Sequence, residues 1–554
     1  MGIYLNPGRQ SFQMAVNSEI YVDKTDMIGY LNSLVNTQQR YVCVSRPRRF
    51  GKTMATEMIC AYYGREADSR EMFEKRKLGT SAPFRIAGKQ SMWDEYLGSF
   101  DVVRIVMTDF MGDCMPVQEM IAWLTQEVSE ELMEAYPDIH FGERIELRTV
   151  MNRIYGKTGR QFVIVIDEWD AVFREYKEDK EGQKRYLDFL RDLLKDKEYV
   201  SLAYITGILP IKKYGKHSAL NMFGEYSMTL SLQMTPFMGF TAEEVREECS
   251  RRQMNYAAFQ KWYDGYRLSN KVSEDLMVED AVVDEAEYRD YEVYSPYSVV
   301  QAIINKRFEN YWNQTETYEA LKQYIDWNFD GLKEDIAVLM NGGHVKIDIT
   351  GYQNDMTTFH GKDDILTMLI HLGYLGYDRD QKEVFIPNKE VMDVFKTSTK
   401  SQDWTMTFRA LENSRKLLEA TWALDEKTTA DLIEAAHNKA GNRTCHSEAG
   451  LSYAIQLAYY AAQDYYTVIP EMDTGKGYAD LVFLPKNPDI PAILVELKYE
   501  KDAESAITQI HRQKYPDRLE HYRGNLILVG ISYTRETKND LLSFKHHSCR
   551  IEKG

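Results

Sequence analysis

Two sets of residues in this sequence have the types and spacing to handle phosphate and metal. The first follows the β-prone run Arg40–Ser45 and reads Arg46-Pro47-Arg48-Arg49-Phe50-Gly51-Lys52-Thr53, with the good helix former Met54–Tyr63 behind it. Strand, loop, Gly-Lys-Thr and helix form the context in which backbone N–H groups and a helix N-terminus hold phosphates. Gly51 then admits the tight turn, Lys52 reaches the terminal phosphates, and the Thr53 hydroxyl ligates magnesium. The expected ligand is ATP with Mg2+. Arg46 stands where the first glycine of such a loop usually supplies positive φ, and Pro47 stiffens the loop further. Arg46, Arg48 and Arg49 either offset phosphate charge or lie solvated.

A second element strengthens the phosphate reading. Phe162-Val163-Ile164-Val165-Ile166 is an apolar strand that ends in Asp167 and Glu168. Asp167 is placed to hold the magnesium shell and Glu168 to polarise an attacking water. The plainer alternative is a buried strand that ends in acidic loop residues. Leu202–Thr206 is another core strand, and Thr206 sits where a polar sensor of the γ-phosphate would lie, or is an ordinary strand end. No arginine finger is assignable.

The other set lies near the C-terminal end. Tyr478-Ala479-Asp480-Leu481-Val482-Phe483-Leu484 and Ala492-Ile493-Leu494-Val495-Glu496-Leu497-Lys498 flank a turn-forming Pro485–Pro491. Side chains alternate along a strand, so Glu496 and Lys498 share a face, and Asp480 approaches that face if the two strands pair. Two carboxylates that hold Mg2+ (or Mn2+), with a lysine to orient water and offset charge on phosphorus, suit phosphodiester cleavage. Glu448, in the first turn of a helix expected over His446–Ala462, could add a metal contact. Gln509 and Gln513, four apart on a helix over Ala503–Tyr515, share a face. A surface Glu–Lys pair is the plain alternative for Glu496 and Lys498.

The elements that must position these residues read as α/β. Apolar runs at Tyr41–Val44, Val102–Met107, Phe162–Ile166 and Leu202–Thr206 alternate with helical stretches, which argues for a parallel sheet wrapped by helices. Thr25 is expected to cap a helix through Ile28, Leu31 and Leu34. Residues of about 240–330 read as mostly helical, and their aromatics read as core. A helix over Asp363–Leu372 followed by hairpin-like segments resembles a winged helix. The expected divisions are 1–238 for a P-loop domain, 239–330 for a helical lid and 331–440 for a winged-helix-like connector. Residues 441–554 would then form a separate α/β unit.

Composition narrows the functions. The chain has 554 residues, 44% of them hydrophobic and 12% aromatic, which excludes a largely disordered protein. No run approaches the roughly 18 apolar residues of a membrane helix, and no signal peptide is apparent, so a cytoplasmic location is expected. Six scattered cysteines without a CxxC pair read as reduced thiols, and His546-His547 read as solvated in a polar tail. The net charge of −17 means that any nucleic-acid partner must meet a local groove and bound divalent metal rather than a basic face.

These residues resemble a bacterial family that joins an AAA-ATPase-like domain to a domain of the PD-(D/E)xK nuclease superfamily. The likeness runs through Tyr21-Val22-Asp23-Lys24-Thr25, Ser45–Thr53, Ile166-Asp167-Glu168-Trp169-Asp170, Thr206–Gly215, Trp262–Tyr266, Gly475–Asp480 and Val495–Lys498. In that family the position of Arg46 also departs from the glycine rule. The resemblance implies a P-loop core, a helical lid over 239–330 and a terminal restriction-endonuclease-like α/β domain over 441–554. It also implies nuclease roles for Asp480, Glu496 and Lys498, with Glu448 and Gln509 as helpers. Related nucleases often carry an arginine shortly before the aspartate, and Tyr478 lies in that region here.

The leading expectation is an enzyme in which ATP binding or hydrolysis governs metal-dependent cutting of DNA or RNA. A competing one is a nucleotide-driven switch or scaffold whose nuclease fold binds nucleic acid or protein without cutting. A third is an ATPase not coupled to the last domain. Assembly into homo-oligomers is suggested only by analogy with other AAA-like modules.

Overall fold

A computed structural model describes residues 2–554 apart from 66–67, 81–84, 87–88, 91, 113–114, 144, 212–218, 271–289, 313–330, 354–355, 358, 400–401, 440–454, 456–457, 460, 463–464, 474–477, 514–518, 520–521, 523 and 539–541. The chain divides into two compact units, Met1–Ser398 and Thr399–Gly554.

In the first unit, α1 (Asp26–Leu34) precedes β1 (Tyr41–Ser45) and α2 (Lys52–Tyr63). β2 (Asp101–Val106), α3 (Val117–Ala135), α4 (Leu147–Thr158) and β3 (Phe162–Asp167) follow. Next come α5 (Ala171–Glu175), α6 (Lys180–Leu194), β4 (Val200–Gly207) and β5 (Gly224–Tyr226). These strands form one parallel sheet in the order β2-β3-β4-β1-β5. Every residue of β1, β3 and β4 is buried, because helices cover both faces; that is why these strands read as unbroken apolar runs. Val42, Val44, Val163 and Tyr204 pack on the side of α1 and α2. Cys43, Ile164 and Ile205 pack on the side of α3, α4 and α6. With all strands parallel, Val44, Thr206 and Asp167 fall in register along one edge of the sheet, the edge at which ligands of open α/β sheets bind.

Thr25 precedes α1 but does not cap it with its side chain; its hydroxyl donates to Asp23 and accepts from the Leu78 N–H instead. The stretch expected to be mostly helical also contains a small antiparallel sheet. β6 (Phe240–Thr241), β7 (Tyr266–Ser269) and β8 (Asp290–Tyr294) pair in the order β6-β8-β7. They sit beside α7 (Ala242–Arg252), α8 (Tyr256–Tyr263) and α9 (Pro296–Asn305). Beyond them, α10 (Leu332–Met340), β9 (Val345–Lys346), α11 (Lys362–Leu372), β10 (Gly376–Asp378), β11 (Glu383–Phe385) and α12 (Lys389–Ser398) supply the helix-and-hairpin pattern. β9, β11 and β10 form one small antiparallel sheet. Asp364 through His371 of α11 are buried, so the helix that would read a groove in a winged helix is a packing element here.

The second unit begins with α13 (Gln402–Trp422) and α14 (Glu426–Lys439), which the sequence division had grouped with the middle of the chain. Leu417, Leu418 and Ile433 from these helices pack on the sheet of this unit, which accounts for their place in it. β12 (Tyr466–Asp473), β13 (Tyr478–Pro485), β14 (Ala492–Tyr499), α15 (Ala503–Gln513), β15 (Leu526–Lys538) and β16 (Leu542–Lys553) complete it. The sheet order is β12-β13-β14-β15-β16, with β14 and β15 parallel and the other pairs antiparallel. His546 and His547 therefore lie in a final strand, not a polar tail, and the His547 N–H donates to Glu434. The expected helix over 446–462 falls largely outside the described residues; within it Ile455 and Tyr459 are buried in the core.

Candidate functional site

The first site forms where β1 turns into α2. Gly51 has φ of 87°, and no atom lies within 4 Å of where a β-carbon would be, so the backbone is open to an approaching ligand. Lys52 folds its ammonium onto the Arg46 carbonyl at 2.9 Å and the Pro47 carbonyl at 2.8 Å. Burial lowers its pKa to about 8, against the pull of Asp170, Asp167 and Glu168 nearby. A desolvated ammonium held by two carbonyls gains by meeting a phosphate. Thr53 stands beside Asp167, whose carboxyl is raised by burial and held down by the Thr53 side chain and by Lys52. Threonine hydroxyl and aspartate oxygen make a hard-donor pair that fits Mg2+ beside bound phosphates.

The arginines of the loop behave differently from one another. Arg46 is fully buried. Its guanidinium donates to the carbonyls of Ser45 (2.9 Å) and Tyr226 (3.0 Å) and to the Ser231 hydroxyl (3.0 Å). It is not solvated; it ties the end of β1 to β5. Arg49, at φ of 69°, donates to the Tyr311 carbonyl at 2.7 Å and lies 3.9 Å over the Tyr297 ring. Arg48 is half-buried. Phe50 packs edge-on against Tyr266, and Pro47 lies close to where a side chain at Gly373 would project. The Arg46–Phe50 segment is thus gripped from the later part of its own unit.

At the end of β3, Asp167 is buried and accepts from the Glu168 N–H. Glu168 takes φ of 52°, and its Oε2 accepts from Arg174 at 2.6 Å. Asp170, with no exposure, accepts the N–H groups of Ile208 (3.1 Å) and Leu209 (2.9 Å) and pairs with Arg174 at 3.3 Å. Thr206 is also fully buried, and its hydroxyl donates to the Val44 carbonyl at 3.0 Å, linking β4 to β1.

The second site lies on β13 and β14. Leu481 pairs with Val495 in antiparallel register, which sets Asp480 and Glu496 on neighbouring strands at matching positions. The Asp480 carboxylate accepts the Leu497 N–H at 2.7 Å. Glu496 is almost fully buried, and its Oε1 accepts from Lys498 at 2.9 Å and from Gln509 of α15. Lys498 also donates to the Leu497 carbonyl at 2.9 Å. Alternation puts Asp480, Glu496 and Lys498 on the sheet face that α15 covers, where Leu494 packs with Ile507 and Ile510. Among the described residues no three His, Cys, Asp or Glu side chains cluster for a metal. A divalent ion here would rest on the Asp480 and Glu496 carboxylates with the Leu497 carbonyl, an all-oxygen set suited to Mg2+ or Mn2+. The Lys498 ammonium already stands as a cation on two of those oxygens. Gln513 is half-buried, the Tyr478 side chain is not described, and Glu448 lies outside the described residues.

Two known families match parts of the chain. Residues 7–216 match the AAA-ATPase-like family, described as a predicted AAA-ATPase, and residues 451–541 match the PD-(D/E)XK nuclease superfamily. The chain joins an AAA-ATPase-like domain to a PD-(D/E)XK nuclease-superfamily domain. Among solved structures, the ORC2 protein of Aeropyrum pernix in ADPNP and ADP complexes aligns over 71% of this chain and 97% of its own, with 10% identity and a TM-score of 0.26. That likeness is too loose to argue from. No curated protein matches the chain.

Within the AAA-ATPase-like domain, Asp170 and Arg174 are the residues that sequence reasoning passed over. Their signal was the second aspartate of Ile166-Asp167-Glu168-Trp169-Asp170 and an arginine four positions on, one helical turn away. In the nuclease-superfamily domain, Gln509 meets Glu496, whereas its helical neighbour Gln513 makes no described bond to the site residues.

Proposed function

We propose that the chain binds ATP with Mg2+ in its first domain, hydrolyses it, and uses that cycle to control metal-dependent cleavage of nucleic-acid phosphodiesters by its last. The observation that carries the cutting half is the Asp480 carboxylate bonded to the peptide between Glu496 and Lys498. That contact gathers two carboxylates and an ammonium at the end of neighbouring strands, as phosphodiester cleavage requires. When bound, the metal would supply a polarised water and charge neutralisation at phosphorus. Asp480 and Glu496 would hold it, Gln509 would fix the Glu496 carboxylate, and Lys498 would orient the water and offset the developing charge on the phosphate.

For the nucleotide, Gly51 and the first turn of α2 would meet the phosphates, and Lys52 would leave its carbonyl partners for them. Thr53 and Asp167 would hold the magnesium, and Glu168 would polarise water. Arg48 would offset phosphate charge from the loop. Thr206 is left out of this set because its hydroxyl is engaged within the sheet. With a net charge of −17, substrate binding should depend on divalent cations.

The test is strand cleavage by the full chain on DNA and on RNA with Mg2+ or Mn2+, beside Glu496→Gln. The reading requires cleavage that needs metal and is lost in the variant. Equal cleavage by both proteins would refute it.

A further inference from the structure

We infer that Arg174 is the positioning residue for Glu168 in ATP hydrolysis, held in place by Asp170; this rests on the ATPase half of the proposed function. A carboxylate that directs water onto a phosphate must present one oxygen in a fixed direction, yet Glu168 has a half-exposed side chain on a loop. Left alone it would sample many rotamers, and ordering such a side chain costs conformational entropy. The structure supplies a fixed partner. Arg174 is nearly buried and gives Nη2 to Glu168 Oε2 at 2.6 Å, while its Nε lies 3.3 Å from Asp170 Oδ2.

Asp170 cannot follow Glu168, because its carboxylate is pinned by the Ile208 and Leu209 N–H groups just beyond β4. The guanidinium fork therefore joins a fixed carboxylate to a movable one. Glu168 adopts φ of 52°, a conformation uncommon outside glycine, which requires the surroundings to hold it. With Oε2 tied, the described hydrogen bonds leave Oε1 to accept from water. In the step itself, a water gives its proton to Glu168 while its oxygen bonds the γ-phosphorus. The bond from phosphorus to the β,γ-bridging oxygen breaks, and ADP leaves with that electron pair. Arg174 neither gains nor loses a proton; it sets where Glu168 stands.

Two variants test this, because losing a nearly buried charge beside Asp170 can itself unsettle the fold. Arg174→Lys keeps the charge without the fork, and Arg174→Ala removes both. In the full chain with ATP and Mg2+, both should lose at least tenfold in kcat, with KM and the affinity for a non-hydrolysable ATP analogue changed by less than about threefold. Millimolar guanidinium should restore part of the Arg174→Ala turnover and none of that of Glu168→Gln. Turnover of the wild type that vanishes in Glu168→Gln but persists undiminished in Arg174→Lys would overturn the role of Arg174 alone. A wild type that binds the analogue but never hydrolyses ATP would overturn the ATPase reading and this inference with it.

Discussion

Asp480 and Leu497 meet across β13 and β14, the aspartate carboxylate accepting the leucine N–H at 2.7 Å. Leu497 turns its side chain into the core between Glu496 and Lys498, which both face the other way. One hydrogen bond thus draws the carboxylate of a neighbouring strand to the only stretch of β14 that carries an acid and a base.

Lys498 occupies oxygens that a metal would need. Its ammonium lies 2.9 Å from both Glu496 Oε1 and the Leu497 carbonyl. A divalent ion bound there must displace it, and like charges at close range oppose each other. Lys498→Ala should therefore bind Mn2+ at least as tightly as the wild type while cleaving about 100-fold more slowly. Calorimetric titration with Mn2+ beside a cleavage assay measures both; weaker metal binding in the variant would count against this arrangement.

Arg46 makes an unusual demand on the fold. Burial lowers its pKa to about 10, yet three hydrogen bonds tie it to Ser45, Tyr226 and Ser231. Arg46→Gly, which restores the usual first glycine of a phosphate loop, should destabilise the protein by about 3 kcal/mol or more rather than improve nucleotide binding. Denaturant unfolding decides it, and an equally stable variant would contradict the structural role.

Lys52 pulls the other way. Its pKa falls from 10.5 to about 8 on burial, so between those values the unfolded chain binds more protons than the folded one. Stability from this group rises with pH across that window, and below pH 8 its burial costs on the order of 3 kcal/mol. Lys52→Met should melt at a higher temperature than the wild type at pH 7 and lose ATP binding. A lower melting temperature with ATP binding intact would refute both statements.

Glu390 should make stability fall as pH rises. Burial raises its carboxyl from 4.5 to about 7, although Ser298, Tyr311 and Trp312 donate hydrogen bonds to it and Arg49 lies near. Between pH 4.5 and 7 the folded state keeps a proton that the unfolded state has lost. The stabilisation is therefore complete below pH 4.5 and gone above pH 7. Glu390→Gln should flatten that slope in melting curves taken from pH 5 to 8. An unchanged slope would remove Glu390 as its source.

The legible parts of the sequence were those whose burial pattern is extreme. Phe162–Ile166 and Ala492–Val495 are covered on both faces and announce themselves as apolar runs. β16 did not, because Ser543-Phe544-Lys545-His546-His547 is mostly polar, as suits a strand at the edge of the sheet. β7 was read as helix because Tyr266-Arg267-Leu268-Ser269 continues the aromatic stretch of α8. Lys52, Thr53, Asp167, Glu496 and Lys498 stand out in the sequence because short-range spacing carries the chemistry proposed for them. The burial of Arg46 was not legible, since arginine is seldom fully buried and two of its acceptors, Tyr226 and Ser231, lie 180 and 185 positions away. Arg174 was missed because its role depends on Asp170 being fixed by Ile208 and Leu209, which only folding brings together.

The most direct measurement compares cleavage by the full-length wild type, Lys498→Ala and Lys52→Ala, with Mn2+ and with or without ATP. Cutting should fall about 100-fold in Lys498→Ala at every ATP concentration. In Lys52→Ala it should persist but no longer respond to ATP. Cleavage undiminished in Lys498→Ala, or a wild type that leaves DNA and RNA intact under all of these conditions, would contradict the account.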